Sequence, residues 1–163
     1  TRHQDGWFEL DFPNRAPSAV ADIPAALLQG LQRQPQQVLR SAQAYFAVYD
    51  DAADVQALAP DMSALKQLAP YDVVATAPGD VGSPYDMVSR YFWPANGGDE
   101  DPVTGSIHAG LAPYWAARLG KQQLLAYQAS QRGGVLKLSV QGERVLVKGQ
   151  AVLYLQGKIR LPV

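Results

Sequence analysis

The stretch from Gly105 to Leu119 reads as a helix carrying almost no charge, and that property restricts the fold more than any other. Ile107, Ala109, Gly110, Leu111, Ala112 and Ala116 place small or apolar side chains around most of its circumference. A surface helix pairs one apolar stripe with a polar face, whereas a helix apolar all round is enclosed by the rest of the protein. Gly120 supplies the stop, because glycine readily takes the left-handed conformation that closes a helix. Pro113 lies inside the segment, lacks an N–H and is expected to kink it.

The remainder of the chain offers strands to surround this helix. Trp7 to Phe12 alternates polar and apolar positions and ends at Pro13. Ala44 to Tyr49 and Asp72 to Ala77 are rich in β-branched or aromatic residues, and Tyr85 to Trp93 alternates up to Pro94. Leu125 to Ala129, then Leu136, Leu138 and Val140, then Val145 and Val147, and finally Val152 to Leu155 make a hairpin-rich end. Between them lie short helical patterns. One is capped by Asp22, with Pro24 in its first turn, and runs through Leu31. Others centre on Val55 and Leu58 and on Met62, Leu65 and Leu68. The expected fold class is α+β: a curved, mostly antiparallel, barrel-like sheet wrapped around a central helix at 105–119.

The 163 residues suit one domain with a real core. A net charge of -1 gives no electrostatic reason to expect nucleic acid or a membrane surface. Apolar runs are short and broken, so no membrane span is expected. The absence of cysteine removes disulfides, thiol nucleophiles and zinc–thiolate sites. Besides His108 the only histidine is His3, so no histidine metal set is expected either. A cytoplasmic location fits these features.

Chemistry concentrates at Asp101-Pro102-Val103-Thr104-Gly105-Ser106. A helix start exposes free N–H groups at the positive end of its dipole. Gly105 allows close approach, Ser106 adds a hydroxyl, and Thr104 can cap the helix with its own oxygen. Together they can hold a carboxylate or phosphate. Asp101, just before them, can accept or donate a proton. Plain helix capping uses the same residue types, so on physical grounds both readings stand. His108 either lines the pocket or is a hydrogen-bonded core histidine. Positions 106 and 108 do not face each other on a helix, which argues against a serine-hydrolase triad. Arg132-Gly133-Gly134 either sets a cation near a carboxylate or is a hairpin connection.

The run Glu100-Asp101-Pro102-Val103-Thr104-Gly105-Ser106-Ile107-His108, continuing into Leu111-Ala112-Pro113-Tyr114-Trp115, resembles the phenazine biosynthesis PhzF family. Ser89-Arg90-Tyr91-Phe92, Gln128-Ala129-Ser130-Gln131-Arg132-Gly133-Gly134 and Leu10-Asp11-Phe12-Pro13 extend the resemblance in order over nearly the whole chain. It implies a diaminopimelate epimerase-like fold with two pseudo-symmetric lobes. It also implies isomerisation of a small carboxylic acid by proton transfer, with neither metal nor organic cofactor. It casts Asp101 as an active-site aspartate, and Gly105 and Ser106 as the carboxylate-binding helix end. Thr104 and His108 join them as candidate substrate-binding residues. What matches is the second lobe only: residues 1–163 as a C-terminal lobe, with 1–16 as the crossover strand from a missing or partner first lobe. The family's Gly-Asn-Pro motif and its acid/base glutamate are not found. Asn96-Gly97 is not followed by proline, and Glu9, Glu100 and Glu143 sit elsewhere. Ile107 and Ala109 are the motif helix's own variation and alter the pocket's size.

Two readings of function follow. The first is an isomerase lobe, completed by a homodimer partner or an N-terminal lobe. The second is a non-catalytic binder of small carboxylates that lacks the proton carrier. A structural domain with a vestigial pocket is a third.

Overall fold

The computed structural model describes the backbone of residues 2–4 and all of residues 6–160. In chain order the elements are β1 (Arg2–Gln4), β2 (Trp7–Pro13), β3 (Ser18–Ala19), α1 (Ala25–Leu31), β4 (Gln37–Arg40), β5 (Ala44–Val48), α2 (Ala52–Gln56) and α3 (Met62–Leu65) with a 3₁₀ turn at Lys66–Leu68. Then come β6 (Asp72–Pro78), β7 (Met87–Trp93), β8 (Gly98–Glu100), α4 (His108–Leu119), β9 (Gln123–Gln128), β10 (Gly134–Gln141) and β11 (Arg144–Gln150). The α+β class holds.

The described strands form one mixed sheet in the order β1-β2-β11-β10-β9-β7-β6-β5-β4-β3, with β8 paired to β7 off this path. Neighbours are antiparallel except β5–β6 and β7–β9, which run parallel. Parallel strands need a crossover rather than a tight turn. Accordingly α2, α3 and the 3₁₀ turn connect β5 to β6, while β8 and α4 lie between β7 and β9.

The sheet carries a hydrophobic core on each face, and β5 shows how. Ala44, Phe46 and Val48 join the core that contains Leu111, Ala112, Trp115 and Ala116 of α4. Tyr45 and Ala47, pointing the other way, join the core that contains Leu27 and Leu31 of α1, Val55 of α2 and Leu65 of α3. A strand covered on both faces reads as a continuous apolar run, which is what AYFAV is. On the α4 side the core draws residues from β4, β5, β6, β7, β9, β10 and β11, so the low-charge helix is buried as its composition requires.

Pro113 acts on this packing through the hydrogen bond it cannot make. Without an N–H it leaves the carbonyl of Ala109, four residues earlier, without its helical donor. The N–H of Arg15 fills that place at 3.0 Å. The segment after β2 therefore lies directly on α4, and Gly110 permits the contact. A Cβ there would stand 2.8 Å from the Arg15 carbonyl oxygen and 2.8 Å from Cζ of Phe46. Gly110→Ala is expected to destabilise the protein by about 1–3 kcal/mol through this overpacking. Urea unfolding of the variant checks it; unchanged stability would mean that the 14–16 segment yields freely.

Three sequence expectations are corrected. The helix begins at His108 rather than at 105, because residues 105–107 form a tight turn. The N–H groups of His108, Ala109 and Gly110 reach back only three residues, to Gly105, Ser106 and Ile107. Thr104 consequently does not cap α4, which has no side-chain cap. Val152 to Leu155 has a strand's composition but pairs with no strand among the described residues: residues 151–160 have no regular secondary structure, and Val152, Leu153, Tyr154, Leu155 and Ile159 stand exposed. A strand pattern without a neighbouring edge leaves its backbone groups to water. Gly120 closes α4 as expected, at φ 66°. Of residues 1–16, Thr1 and Asp5 lie outside the described residues, and β2 is paired into this same sheet through β11.

Candidate active site

The loop from Asp101 to Thr104 is held in place by the end of β9 and the turn after it. Gln128, the last residue of β9, is fully buried. Its Oε1 accepts the N–H of Thr104 at 2.8 Å, and its Nε2 donates to the Asp101 carbonyl at 2.7 Å and to Thr104 Oγ1 at 3.2 Å. Ser130 Oγ donates to the Pro102 carbonyl at 2.7 Å and accepts from the N–H of Gly133. Val103 lies over Gly134, where a Cβ would meet its Cγ2 at 2.1 Å. Thus Arg132 and Gly133 lie in the β9–β10 connection and Gly134 opens β10. Arg132 is exposed, with no ion pair among the described residues.

On this support Asp101 is oriented. Its N–H donates to the Tyr91 carbonyl at 3.0 Å, and its Oδ2 accepts the Thr104 hydroxyl at 2.7 Å. Oδ1 has no hydrogen-bond partner among the described residues. Thr104 therefore fixes the aspartate rather than the helix end.

The turn at 105–107 presents three successive N–H groups, those of Gly105, Ser106 and Ile107, that donate to no acceptor among the described residues. Such a row at the start of a helix is a set of preoriented donors for an anion. Packing does not require the glycine at 105. A Cβ there would make one ordinary contact, 3.8 Å to Cδ1 of Leu10, so the space above it is open. Ser106 is half-buried, and its Oγ accepts Nε2 of Gln43 at 3.0 Å.

His108 points inward and is fully buried. Its Nδ1 lies 2.6 Å from the Thr104 carbonyl, which assigns the proton to Nδ1, since a carbonyl only accepts. Nε2 has no partner among the described residues. Burial pushes its pKa down to about 4, against the opposing pull of the Thr104 carbonyl, so the ring is neutral at pH 7. His108 thus reaches the site through the Thr104 backbone.

Sequence reasoning located Asp101 through His108 because they are consecutive. It assigned no role to Gln43, Asp72, Tyr91 or Gln128. These come from the turn before β5, the start of β6, the middle of β7 and the end of β9. Only the sheet order assembles them.

Among the described residues no three His, Cys, Asp or Glu side chains are grouped to hold a metal ion. Two of the three glutamates are engaged away from the turn. Glu100 makes a two-pronged ion pair with Arg90, at 2.8 and 2.9 Å, and Glu9 pairs with Lys148 at 3.0 Å.

Known proteins match the sequence and fold over nearly the full chain. A family profile described as phenazine biosynthesis-like protein, PhzC-PhzF, matches residues 3–157. The uncharacterized isomerase PA3578 of Pseudomonas aeruginosa is 45% identical over 158 residues, 97% of this chain and 59% of its own length. The uncharacterized isomerase BH0283 of Halalkalibacterium halodurans is 42% identical over 155 residues, 95% of this chain and 58% of its own. The crystal structure of a PhzF-family protein from Enterococcus faecalis matches with a TM-score of 0.86 at 38% identity, covering 98% of this chain and 60% of that one. The chain spans about three fifths of the length of these relatives. A profile match over residues 3–157, relatives above 40% identity and a shared fold lead to one conclusion: the chain belongs to the phenazine biosynthesis-like PhzC-PhzF family.

Proposed function

We propose that this chain is one lobe of a PhzF-type isomerase that holds a small carboxylic acid at residues 105–107 and moves a proton on it through Asp101, without metal or organic cofactor. The observation that carries this reading is the row of three N–H groups without acceptors, four residues on from an aspartate whose Oδ1 has no partner, both among the described residues. The carboxylate of Asp101 takes a proton from one carbon of the bound acid and returns it to another carbon on the same face. As the proton leaves, negative charge flows toward the ligand's carboxylate, where the N–H donors stabilise it. Thr104 holds Asp101, and His108 holds Thr104.

In this reading the sheet wraps α4 as a barrel-like lobe of a diaminopimelate epimerase-like fold. A second copy or a first lobe closes over the turn. The exposed apolar side chains of Val152, Leu153, Tyr154, Leu155 and Ile159 support association with another body. Among the described residues no helix is long and apolar enough to cross a membrane, and the reading takes the protein as cytoplasmic.

The engagement of Glu9 and Glu100 in ion pairs supports a second reading, a small-carboxylate binder that turns nothing over. Incubating the chain in D₂O with a panel of small carboxylic acids separates the two. The isomerase reading expects deuterium in the recovered acid, with incorporation lost at least a hundredfold in Asp101→Asn. Binding without exchange supports the second reading, and exchange that survives in Asp101→Asn removes Asp101 from the role given to it.

A further inference from the structure

The hydrogen bonds behind Ser106 have a fixed direction, and it originates at Asp72. Asp72 Oδ1 accepts Nδ2 of Asn96 at 2.6 Å, and Oδ2 accepts the Tyr91 hydroxyl. A carboxylate receiving two donors has no proton of its own to give. The one proton of Tyr91 is therefore committed to Asp72, and the phenol oxygen can only accept from its other neighbour, Gln43 Nε2 at 2.8 Å. This settles which end of the Gln43 carboxamide faces inward, since a flipped amide would set two acceptors against each other. The second Nε2 proton then lies toward Ser106 Oγ, 3.0 Å away. Ser106 accepts that bond, and its own hydroxyl proton has no acceptor among the described residues.

The supporting geometry is rigid. The N–H of Asp72 donates to the Gln43 carbonyl at 3.2 Å, and the N–H of Gln43 donates to Ser41 Oγ at 3.1 Å, so both ends of the relay are tied through the backbone. Tyr91 is buried. Burial and then the bond to Asp72 push its pKa up, so the phenol keeps its proton throughout the ordinary pH range.

We infer that Asp72, Tyr91 and Gln43 are positioning residues that occupy one lone pair of Ser106 and turn its hydroxyl proton toward the seat at residues 105–107, so that the seat favours an acceptor-only carboxylate over a cationic amidinium of the same shape. This rests on the reading that the turn holds a ligand's carboxylate. The three backbone N–H groups are donors by constitution, and the relay aligns the Ser106 hydroxyl proton with them.

Benzoate and benzamidine are suitable probes, being planar, nearly equal in size and opposite in hydrogen-bond sense. Benzoate titrated into the ¹⁵N-labelled full chain is expected to shift the amides of 105–107 saturably, while benzamidine leaves them in place. Tyr91→Phe cuts the link to Asp72 with little change in volume and is expected to weaken benzoate about three- to tenfold. Gln43→Glu offers Ser106 an acceptor and a like charge and is expected to weaken it about tenfold or more. A purely structural role for Tyr91 would persist without the hydroxyl of Ser106. The deciding measurement is therefore a double-mutant cycle, in which Tyr91→Phe is expected to have no further effect on benzoate in a Ser106→Ala background. Amides of β10 and β11 report whether each variant is folded, and Tyr91→Phe with its cycle decides the matter if Gln43→Glu is not. Wild-type affinity in Tyr91→Phe, or an undiminished loss in the Ser106→Ala background, overturns the inference and leaves the carboxylate seat standing. A wild-type chain with no saturable shift overturns the seat itself and this inference with it.

Discussion

Trp115→Ala is expected to lower the free energy of unfolding by about 3–5 kcal/mol, the range for removing a large aromatic from a packed core. Trp115 is 1% exposed on α4 and lies in the core that joins this helix to seven strands. Its indole N–H donates to Thr76 Oγ1 at 3.0 Å, and that hydroxyl in turn donates to the Val88 carbonyl at 2.8 Å. The alanine variant removes the volume and the donor together. Trp115→Phe separates them. Thr76 keeps its bond to Val88, so the loss is expected to fall to about 1–2 kcal/mol. Urea unfolding followed by far-ultraviolet circular dichroism measures both. Equal losses in the two variants would show that the hydrogen bond, and not the packed volume, dominates the position.

The second large effect is on pH. The ordinary histidine pKa is 6.5, and His108 in the folded chain is held down to about 4. Between those values the unfolded chain binds a proton that the folded chain refuses, so stability falls as the pH falls. His108 costs nothing at pH 7, where it is neutral in both states. The loss begins near pH 6.5 and reaches about 3 kcal/mol by pH 4. Below that both states carry the proton and the loss stops growing. Carboxylates add their own slope at acid pH, so the informative quantity is the difference between wild type and His108→Asn. Asparagine retains a donor near the position of Nδ1 for the Thr104 carbonyl and does not titrate. Its stability is expected to be nearly flat from pH 6.5 to 5, where the wild type declines. Parallel curves for the two proteins would show that His108 is protonated in the folded state and would falsify its assignment as a neutral ring.

Much of the fold is legible in the sequence because one element carries so strong a signal. A helix with almost no charge has to be enclosed, and the largely apolar runs at 44–49 and 73–77 are what two-sided burial looks like. The parallel pairing of β5 with β6 and β7 with β9 is not legible, since nothing local to those strands records which neighbour they take. The start of α4 differs from the sequence expectation for a physical reason. Gly105 and Ser106 are ordinary residues for a helix start, and only the three-residue reach of the first hydrogen bonds reveals a tight turn before it. Val152 to Leu155 shows the converse, a strand's residues with no edge to join.

The candidate site divides along the same line. Asp101, Thr104, Gly105 and Ser106 are legible because the proposed anion seat would be built from consecutive backbone groups. Their roles are less so: Thr104 was expected at the helix end and instead grips Asp101. Gln43, Asp72, Tyr91 and Gln128 lie on separate segments, and a buried glutamine at a strand end looks the same in sequence whether it holds a loop or faces water.

The pairing of β2 with β11 has a consequence for how the protein is made. Asp11 and Arg144, which meet across that pair at 2.9 Å, are 133 positions apart in the chain. At about 5–20 residues per second, a ribosome needs roughly 7 to 27 seconds to supply the second strand after the first. During that interval the nascent β2, bearing Phe8, Leu10 and Phe12, has no β11 to pair with, and the Arg15 N–H must wait for α4. The central helix and its neighbours can collapse earlier. Pairing of β2 with β11 therefore waits on the synthesis of everything between them, and the apolar side chains of β2 stay without that partner throughout.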